Sequence, residues 1–301
     1  MRVLVTGAAG PRGRQLVEAL VATGHTVIGV DRESWPTVPP GVELHRLDHR
    51  KRDFEELMRH GAFDAIVHLA VHAGFRLSPS ERHRLNVEGT TKVIALAAQH
   101  GVRRLVIASH AAVYGALPDN PHFMTEDAPP AVGRTFPQMQ DLVTTDLLAG
   151  AAMWKHPALE VVVLRLVHAL GPTSRGVLAA LLRRRRVPMV AGFDPMVQVI
   201  HELDVARATA TAVEQPLRGV YNVTGPGEVP LSVLVREAGA EPLPLPAVAF
   251  AVLRGRFGLP ASEGAVDFLE HPCLVDGARF REATGFSPAH GLRDTVRSMR
   301  K

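Results

Sequence analysis

Residues Met1 to Gly13 read MRVLVTGAAGPRG, and the fold of the chain turns on how this stretch is parsed. Arg2 to Thr6 is a β-branched and apolar run suited to a buried strand, and Gly7, Gly10 and Gly13 then open a helical pattern. Such spacing lets the chain turn sharply at Gly7, brings backbone close to a pyrophosphate at Gly10 and packs helix on strand at Gly13. The free N–H groups of the first helical turn face the phosphates. Pro11, at the start of that helix, gives up only an N–H that has no partner there. Glycines at this spacing also serve turns that bind nothing, so the surroundings decide. Thr26 to Val30 (TVIGV) reads as a second buried strand and ends at Asp31, eighteen residues after Gly13, where a ribose-binding carboxylate belongs. The stretch therefore predicts a dinucleotide site.

Outward from it, strand and helix patterns alternate. Val42 to Leu47 reads as a third strand ending at Asp48, Arg52 to Arg59 as a polar helix, and Ala62 to Ala70 (AFDAIVHLA) as a fourth strand. Ser80 to His100 reads as a long helix capped by Ser80 or Ser78, Val102 to Ser109 as a fifth strand, Phe136 to Ala151 as a helix and Leu159 to Val167 as a sixth strand. Short connections between alternating elements predict an α/β fold, a Rossmann-type doubly wound parallel sheet with helices on both faces. Beyond Gly171 the rhythm loosens. Val197 to Ile200, the helix from Leu203 to Val213 and Gly219 to Thr224 read as one further unit of the same kind, and Asp204 as the cap of that helix. The expected division is a dinucleotide-binding domain over residues 1–172 and a smaller C-terminal substrate lobe over 173–301, with 196–224 returning to the sheet.

Composition narrows the classes. With 301 residues and 46% hydrophobic content the chain can bury a substantial core, and a formal charge of only +4 does not imply nucleic-acid binding. The run Arg183 to Arg186 reads as a solvated helix end. One cysteine, Cys273, permits no internal disulfide and fits a reducing cytoplasm. The first strand starts at residue 2, leaving no room for a signal peptide, and the apolar runs Val161 to Leu170 and Leu245 to Leu253 are too short to cross a bilayer. A soluble, cytoplasmic protein is expected, with neither membrane nor nucleic acid as partner.

Several further motifs stand in register: VDR at Val30 to Arg32, LD at Leu47 to Asp48, HLA at His68 to Ala70, NVEGT at Asn86 to Thr90 and VIASHAAVYG at Val106 to Gly115. LRLVHALGP at Leu164 to Pro172, VIHELDVARA at Val199 to Ala208 and YNVTG at Tyr221 to Gly225 follow. Together with the glycine turn, they resemble the extended short-chain dehydrogenase/reductases, the NAD-dependent epimerase/dehydratase family, over roughly residues 2 to 225. The resemblance implies that Gly7, Gly10 and Gly13 hold the pyrophosphate, Asp31 the adenosine ribose and Asp48 the adenine, with Leu69, Ala70 and Asn86 along the cofactor. Read alone, Asp48 is equally a turn residue, Asn86 a packing residue and His68 a satisfied strand-end histidine. Asp31 repels a 2′-phosphate and favours NAD, while Arg32 and Arg12 keep NADP open. The resemblance also implies a homodimer through a four-helix bundle of Ser80 to His100 and Phe136 to Ala151.

The chain departs from the family where the chemistry sits. Hydride-transferring relatives use a Tyr and a Lys four residues later, with a Ser or Thr donor nearby; in register these fall on Phe136, Gln140 and His110. Tyr114 and Tyr221 are the two tyrosines, followed four residues on by Pro118 and Gly225, so no other dyad exists. Losing a positioned acid or base costs on the order of 10²–10⁴-fold. His110 and His168 occupy the vacated neighbourhood and are the candidate catalytic residues, each readable also as a hydrogen-bonded residue lining a cleft. Arg165 reads as a contact to a substrate anion or as a structural arginine. His68 with His72, and His45 with His49, lack the accompanying ligands of a metal site, so none is expected. Two functions follow: an atypical NAD(P)-binding epimerase/dehydratase-like oxidoreductase acting on a small polar or nucleotide-linked substrate, or a non-catalytic NAD(P)(H)-binding regulatory or partner protein.

Overall fold

The structure is a computed structural model that describes residues 1–71, 77–253, 255 and 264–300. Its first half lays down β1 (Arg2–Thr6), α1 (Pro11–Ala22), β2 (Thr26–Asp31), β3 (Val42–Arg46), α2 (Arg52–Gly61), β4 (Ala65–His68), α3 (Pro79–His83), α4 (Gly89–Gln99), β5 (Arg104–His110), α5 (Gln140–Lys155) and β6 (Glu160–Leu166). After them come β7 (His168–Leu170), α6 (Val177–Leu182), β8 (Arg186–Val190), β9 (Met196–His201), α7 (Glu202–Glu214), β10 (Gly219–Val223), β11 (Glu228–Pro230), α8 (Leu231–Glu237) and β12 (Glu241–Leu245). Four short helices follow: α9 (Ala247–Leu253), α10 (Gly264–Glu270), α11 (Ala278–Thr284) and α12 (Leu292–Ser298).

Seven strands form one parallel sheet in the order β10-β6-β5-β4-β1-β2-β3. The expected doubly wound architecture is therefore the observed one. Alternation along β1 shows why: Val3 and Val5 pack into the core under α1 and α7, whereas Leu4 points to the opposite core with Phe54 of α2 and Val93 of α4. Burial on both faces explains why these strands read as continuous apolar runs. Chain direction across the sheet reverses between β1 and β4, which leaves a crevice at their carboxyl ends, where the glycine turn sits.

Local chemistry moved several boundaries. Ser78 is the cap in the long second-face helix, accepting the Glu81 N–H at 3.3 Å while Glu81 accepts the Ser78 N–H at 3.2 Å. That helix does not run evenly from 80 to 100: a π turn over Arg84–Glu88 interrupts it between α3 and α4. The helix expected from Phe136 begins at Gln140. Pro137 bars Phe136 from helical backbone (φ −126°, ψ 76°), and a 3₁₀ turn, Pro137–Met139, precedes α5. His201, not Asp204, caps α7 by accepting the Leu203 N–H at 3.2 Å. Asp204 is fully buried and accepts the N–H groups of Ala289 and His290, both at 3.0 Å, tying α7 to the C-terminal segment.

The second lobe packs around its own apolar core of Leu182, Val187, Leu234, Val235 and Phe250. Of the unit expected over 196–224, only β10 joins the main sheet. β9 pairs instead with β7 and β11 in a separate three-stranded sheet, because the chain leaves the main sheet after β6 and β7 opens a new edge for it. The arginine run is not a helical end of four residues either. Arg183 closes α6 and donates to the carbonyls of Ser174 (2.8 Å) and Gly171 (3.0 Å), and Arg186 already belongs to β8.

Candidate functional site

The glycine turn follows β1 directly. Gly7 has φ +77°, a conformation that favours glycine, and a Cβ there would lie 3.2 Å from the backbone of Leu69 and Ala70, which follow β4. A Cβ on Gly13 would sit 2.1 Å from the Gly7 carbonyl, so α1 can approach the turn only without a side chain. Above Gly10 the space is open, the nearest neighbour being the Gly7 carbonyl at 3.4 Å. Such a cradle fits a pyrophosphate against the first turn of α1. At its flank the Asp31 carboxylate accepts the Ala9 N–H at 2.9 Å and the Glu33 N–H at 3.0 Å, leaving lone pairs on both oxygens for hydroxyl groups.

Farther along the same edge, Asp48 is bound by Arg50: its carboxylate accepts the Arg50 backbone N–H at 2.9 Å and guanidinium N–H groups at 2.6 to 3.2 Å. Those bonds, ahead of desolvation, hold its pKa below the usual carboxylate range. Arg32 is exposed on this side, and its carbonyl accepts from the Arg46 side chain at 3.1 Å. Asn86 is fully buried in the π turn. His68 is satisfied in the core by the hydroxyls of Thr6 (2.7 Å) and Thr90 (3.1 Å), and desolvation holds it neutral. His72 lies outside the described residues. Among the described residues no group of three or more His, Cys, Asp or Glu could hold a metal ion.

At the other end of the turn, β5 and β7 bring His110 and His168 together, their ring centroids 5.1 Å apart and their planes at 62°. His110 Nδ1 accepts the Ala112 N–H at 3.0 Å, which places the ring proton on Nε2 and makes that nitrogen a donor. Burial, then the neighbouring His168 and Arg12, push the His110 pKa well below its ordinary value. Burial and Arg12 push that of His168 down to about 4. Both imidazoles are therefore neutral at pH 7. Ala111, Ala112, Val167, Gln198, Phe268 and Cys273 complete a crevice around them. Burial raises the Cys273 thiol to about 12, so it is no nucleophile at neutral pH.

Phe136 and Gln140 offer nothing in place of a Tyr–Lys pair. Phe136 is buried against Gly264, and the Gln140 amide folds over Gly133. Arg165 is structural. It donates to Asp146 at 2.6 to 3.2 Å, to the Tyr114 hydroxyl at 2.7 Å and to the Glu126 carbonyl at 3.2 Å, while Asp146 also accepts from Ser109 at 2.6 Å. This buried network fixes β5 immediately before His110. Sequence reading missed Asp146, which left a signal: a carboxylate at a position where α5 otherwise turns Leu142, Val143 and Ala149 inward.

The sequence model of the NAD dependent epimerase/dehydratase family matches residues 3–224. The chain belongs to this family. Among its relatives, an uncharacterized protein of Mycobacterium tuberculosis is 28% identical over 306 residues, covering 95% of this chain and 80% of that one. A 3-diazoavenalumate denitrifying reductase of a Streptomyces species is 30% identical over 319 residues, covering 96% and 97%. The structure of Thermus thermophilus UDP-glucose 4-epimerase in complex with NAD superposes with a TM-score of 0.78 at 26% identity, covering 100% of this chain and 99% of that one. Among the described residues of this epimerase/dehydratase family member, no helix is long and apolar enough to cross a membrane.

Proposed function

We propose that the chain is an NAD(H)-dependent oxidoreductase of the epimerase/dehydratase type, acting on a small polar or nucleotide-linked substrate with two histidines in place of the Tyr–Lys pair. The observation that carries this reading is the pairing of His110 and His168 in a crevice beside the glycine turn. Gly7, Gly10, Gly13, Leu69 and Ala70 would cradle the pyrophosphate, Asp31 the adenosine ribose, and Asp48 and Asn86 the rest of that half. NAD is preferred to NADP because the Asp31 carboxylate disfavours a 2′-phosphate. The family relationship and the NAD bound in the Thermus thermophilus epimerase support the same choice. When bound, the nicotinamide would supply or accept the hydride. His110, whose Nε2–H is free to donate, polarises a substrate oxygen, and His168, neutral and without a hydrogen bond to any described residue, takes up or returns the hydroxyl proton. The exposed Leu147 and Trp154 of α5, with α4 packed alongside, fit a homodimer interface.

Calorimetric titration with NAD, NADH, NADP and NADPH tests the cofactor, with Asp31→Ala as control. Tight binding of one pair, lost in the control, supports the reading; binding of none overturns it. His110→Ala should then abolish turnover in a substrate screen while cofactor affinity persists. A protein that binds the cofactor, co-purifies with another polypeptide and turns nothing over would be the non-catalytic partner instead.

A further inference from the structure

The crevice around His110 and His168 is closed. It encloses about 10 Å³, room for about one water molecule, so a substrate reaches the imidazoles only when one wall gives way. Most of the walls are tied down. His110, Ala111 and Ala112 continue the chain out of β5, and Val167 and His168 join β6 to β7. Gln198 of β9 clamps Val275, accepting its N–H at 2.9 Å and donating to its carbonyl at 3.0 Å. Leu274 and Asp276 are bonded in turn to the backbone of Met124, both at 2.9 Å, which fixes the chain just beyond Cys273.

α10 is the exception. It brings Phe268 to the crevice and stands between two cores: Ala265 and Phe268 pack into the core beside α1 and α7, Val266 and Leu269 into that of the second lobe. At its start Gly264 lies flush on Thr135 and Phe136, where a Cβ would strike the Thr135 carbonyl oxygen and stand 2.6 Å from the Phe136 Cβ. Among the described residues, neither Asp267 nor Glu270, the charged side chains of this helix, makes a hydrogen bond or ion pair. Apolar contact is non-directional and is regained on reseating, so α10 can leave and return without stranding a polar side chain. Moving any other wall breaks strand pairing or the Gln198 clamp.

We propose that α10 is the gate of the crevice and Phe268 its plug: the helix withdraws about the fixed segment that follows Cys273, admits a substrate and reseats behind it. What passes the gate rests on the proposed oxidoreductase reading; that the gate opens does not. Reseating would also shut water out from around the two imidazoles.

Cys273, the only cysteine and part of the crevice wall, reports the opening. The full chain is exposed to iodoacetamide, without cofactor or substrate, at increasing urea below the unfolding transition, and the alkylated fraction is followed by mass spectrometry. The wild type should react about a hundredfold or more slowly than the unfolded chain, at a rate almost flat in urea, because opening the gate exposes little surface. Phe268→Ala and Gly264→Ala should each speed labelling about tenfold or more, the first by removing buried apolar area and the second by unseating the helix. Ile28→Ala, buried on the far face of the main sheet, should lower the urea midpoint yet leave labelling in water unchanged. Labelling that climbs with the full unfolding slope from the lowest urea, a wild-type thiol as reactive as the unfolded one, or both gate variants within about twofold of wild type would each overturn the gate. Failure of NAD binding or of turnover does not enter this measurement, so the two readings fall separately.

Discussion

Replacing Arg165 by methionine isolates the energy stored beneath the crevice. The guanidinium is 4% exposed and the Asp146 side chain 1%, so the variant strands a carboxylate in the core with the Ser109 hydroxyl as its remaining partner. Removing one member of such a buried pair costs about 3–5 kcal/mol, because the uncompensated charge keeps its desolvation penalty and loses its counter-ion. Tyr114 keeps Asn222 as acceptor at 2.9 Å, so that hydroxyl adds little to the loss. Against a total stability of roughly 5–15 kcal/mol, the variant should unfold at a visibly lower urea midpoint with an unchanged slope. Arg165→Met combined with Asp146→Leu removes both charges and should recover most of the loss, to within about 1–2 kcal/mol of wild type. A single variant within about 0.5 kcal/mol of wild type, or a double variant worse than the single, would refute the reasoning. The first outcome would revive Arg165 as a substrate contact.

The two inner glycines should separate stability from binding. Gly13→Ala drives a Cβ into the Gly7 carbonyl and should lower both the melting temperature and NADH affinity, whereas Gly10→Ala, in open space, should cost less than about 1 kcal/mol of stability yet weaken NADH at least about tenfold. Equal behaviour of the two would contradict the cradle. His49 is 4% exposed, and burial pushes its pKa down to about 4, with Asp48 opposing. Folded protein thus excludes a proton that the unfolded chain takes up near pH 6.5; its contribution to stability is intact above that pH and is lost as pH falls toward 4, by up to about 3 kcal/mol. In urea titrations across this window, His49→Leu should show a shallower pH slope, and an unchanged slope would discount the histidine. Trp154, 88% exposed, and Leu147, 54% exposed, lie two turns apart on α5. Sedimentation should show a homodimer that Leu147→Asp with Trp154→Asp splits; a wild-type monomer at every concentration would remove the interface.

The sheet was legible because parallel strands buried on both faces must be written as short apolar runs, and because glycine alone tolerates the backbone at Gly7 and the contact at Gly13. Boundaries slipped where a single residue's backbone preference overrode periodicity, as at Pro137. Pairing partners were less visible still: β9 has the same pattern as the main-sheet strands, and only the edge opened by β7 decides where it goes. In the site, His110 and His168 stood out by absence of the usual dyad. Arg165 stayed undecided until Asp146 appeared beside it, a pairing that no one-dimensional pattern carries.

His110 ends β5 of the main sheet, whereas His168 begins β7, whose neighbour is β9 of the separate sheet. The two rings thus ride on different sheets, which the chain links at Val167 and again through α7 and through residues 224–227, and their separation is a gauge of how the sheets are docked. A ligand that pulls the second lobe down would register there first, as a change in the ring-current shifts each imidazole imposes on the other. On the proposed reading, such a seam would let drift in the outer lobe retune the proton chemistry of the two histidines without touching the dinucleotide cradle, a way for one fold to keep its cofactor while exchanging its substrates.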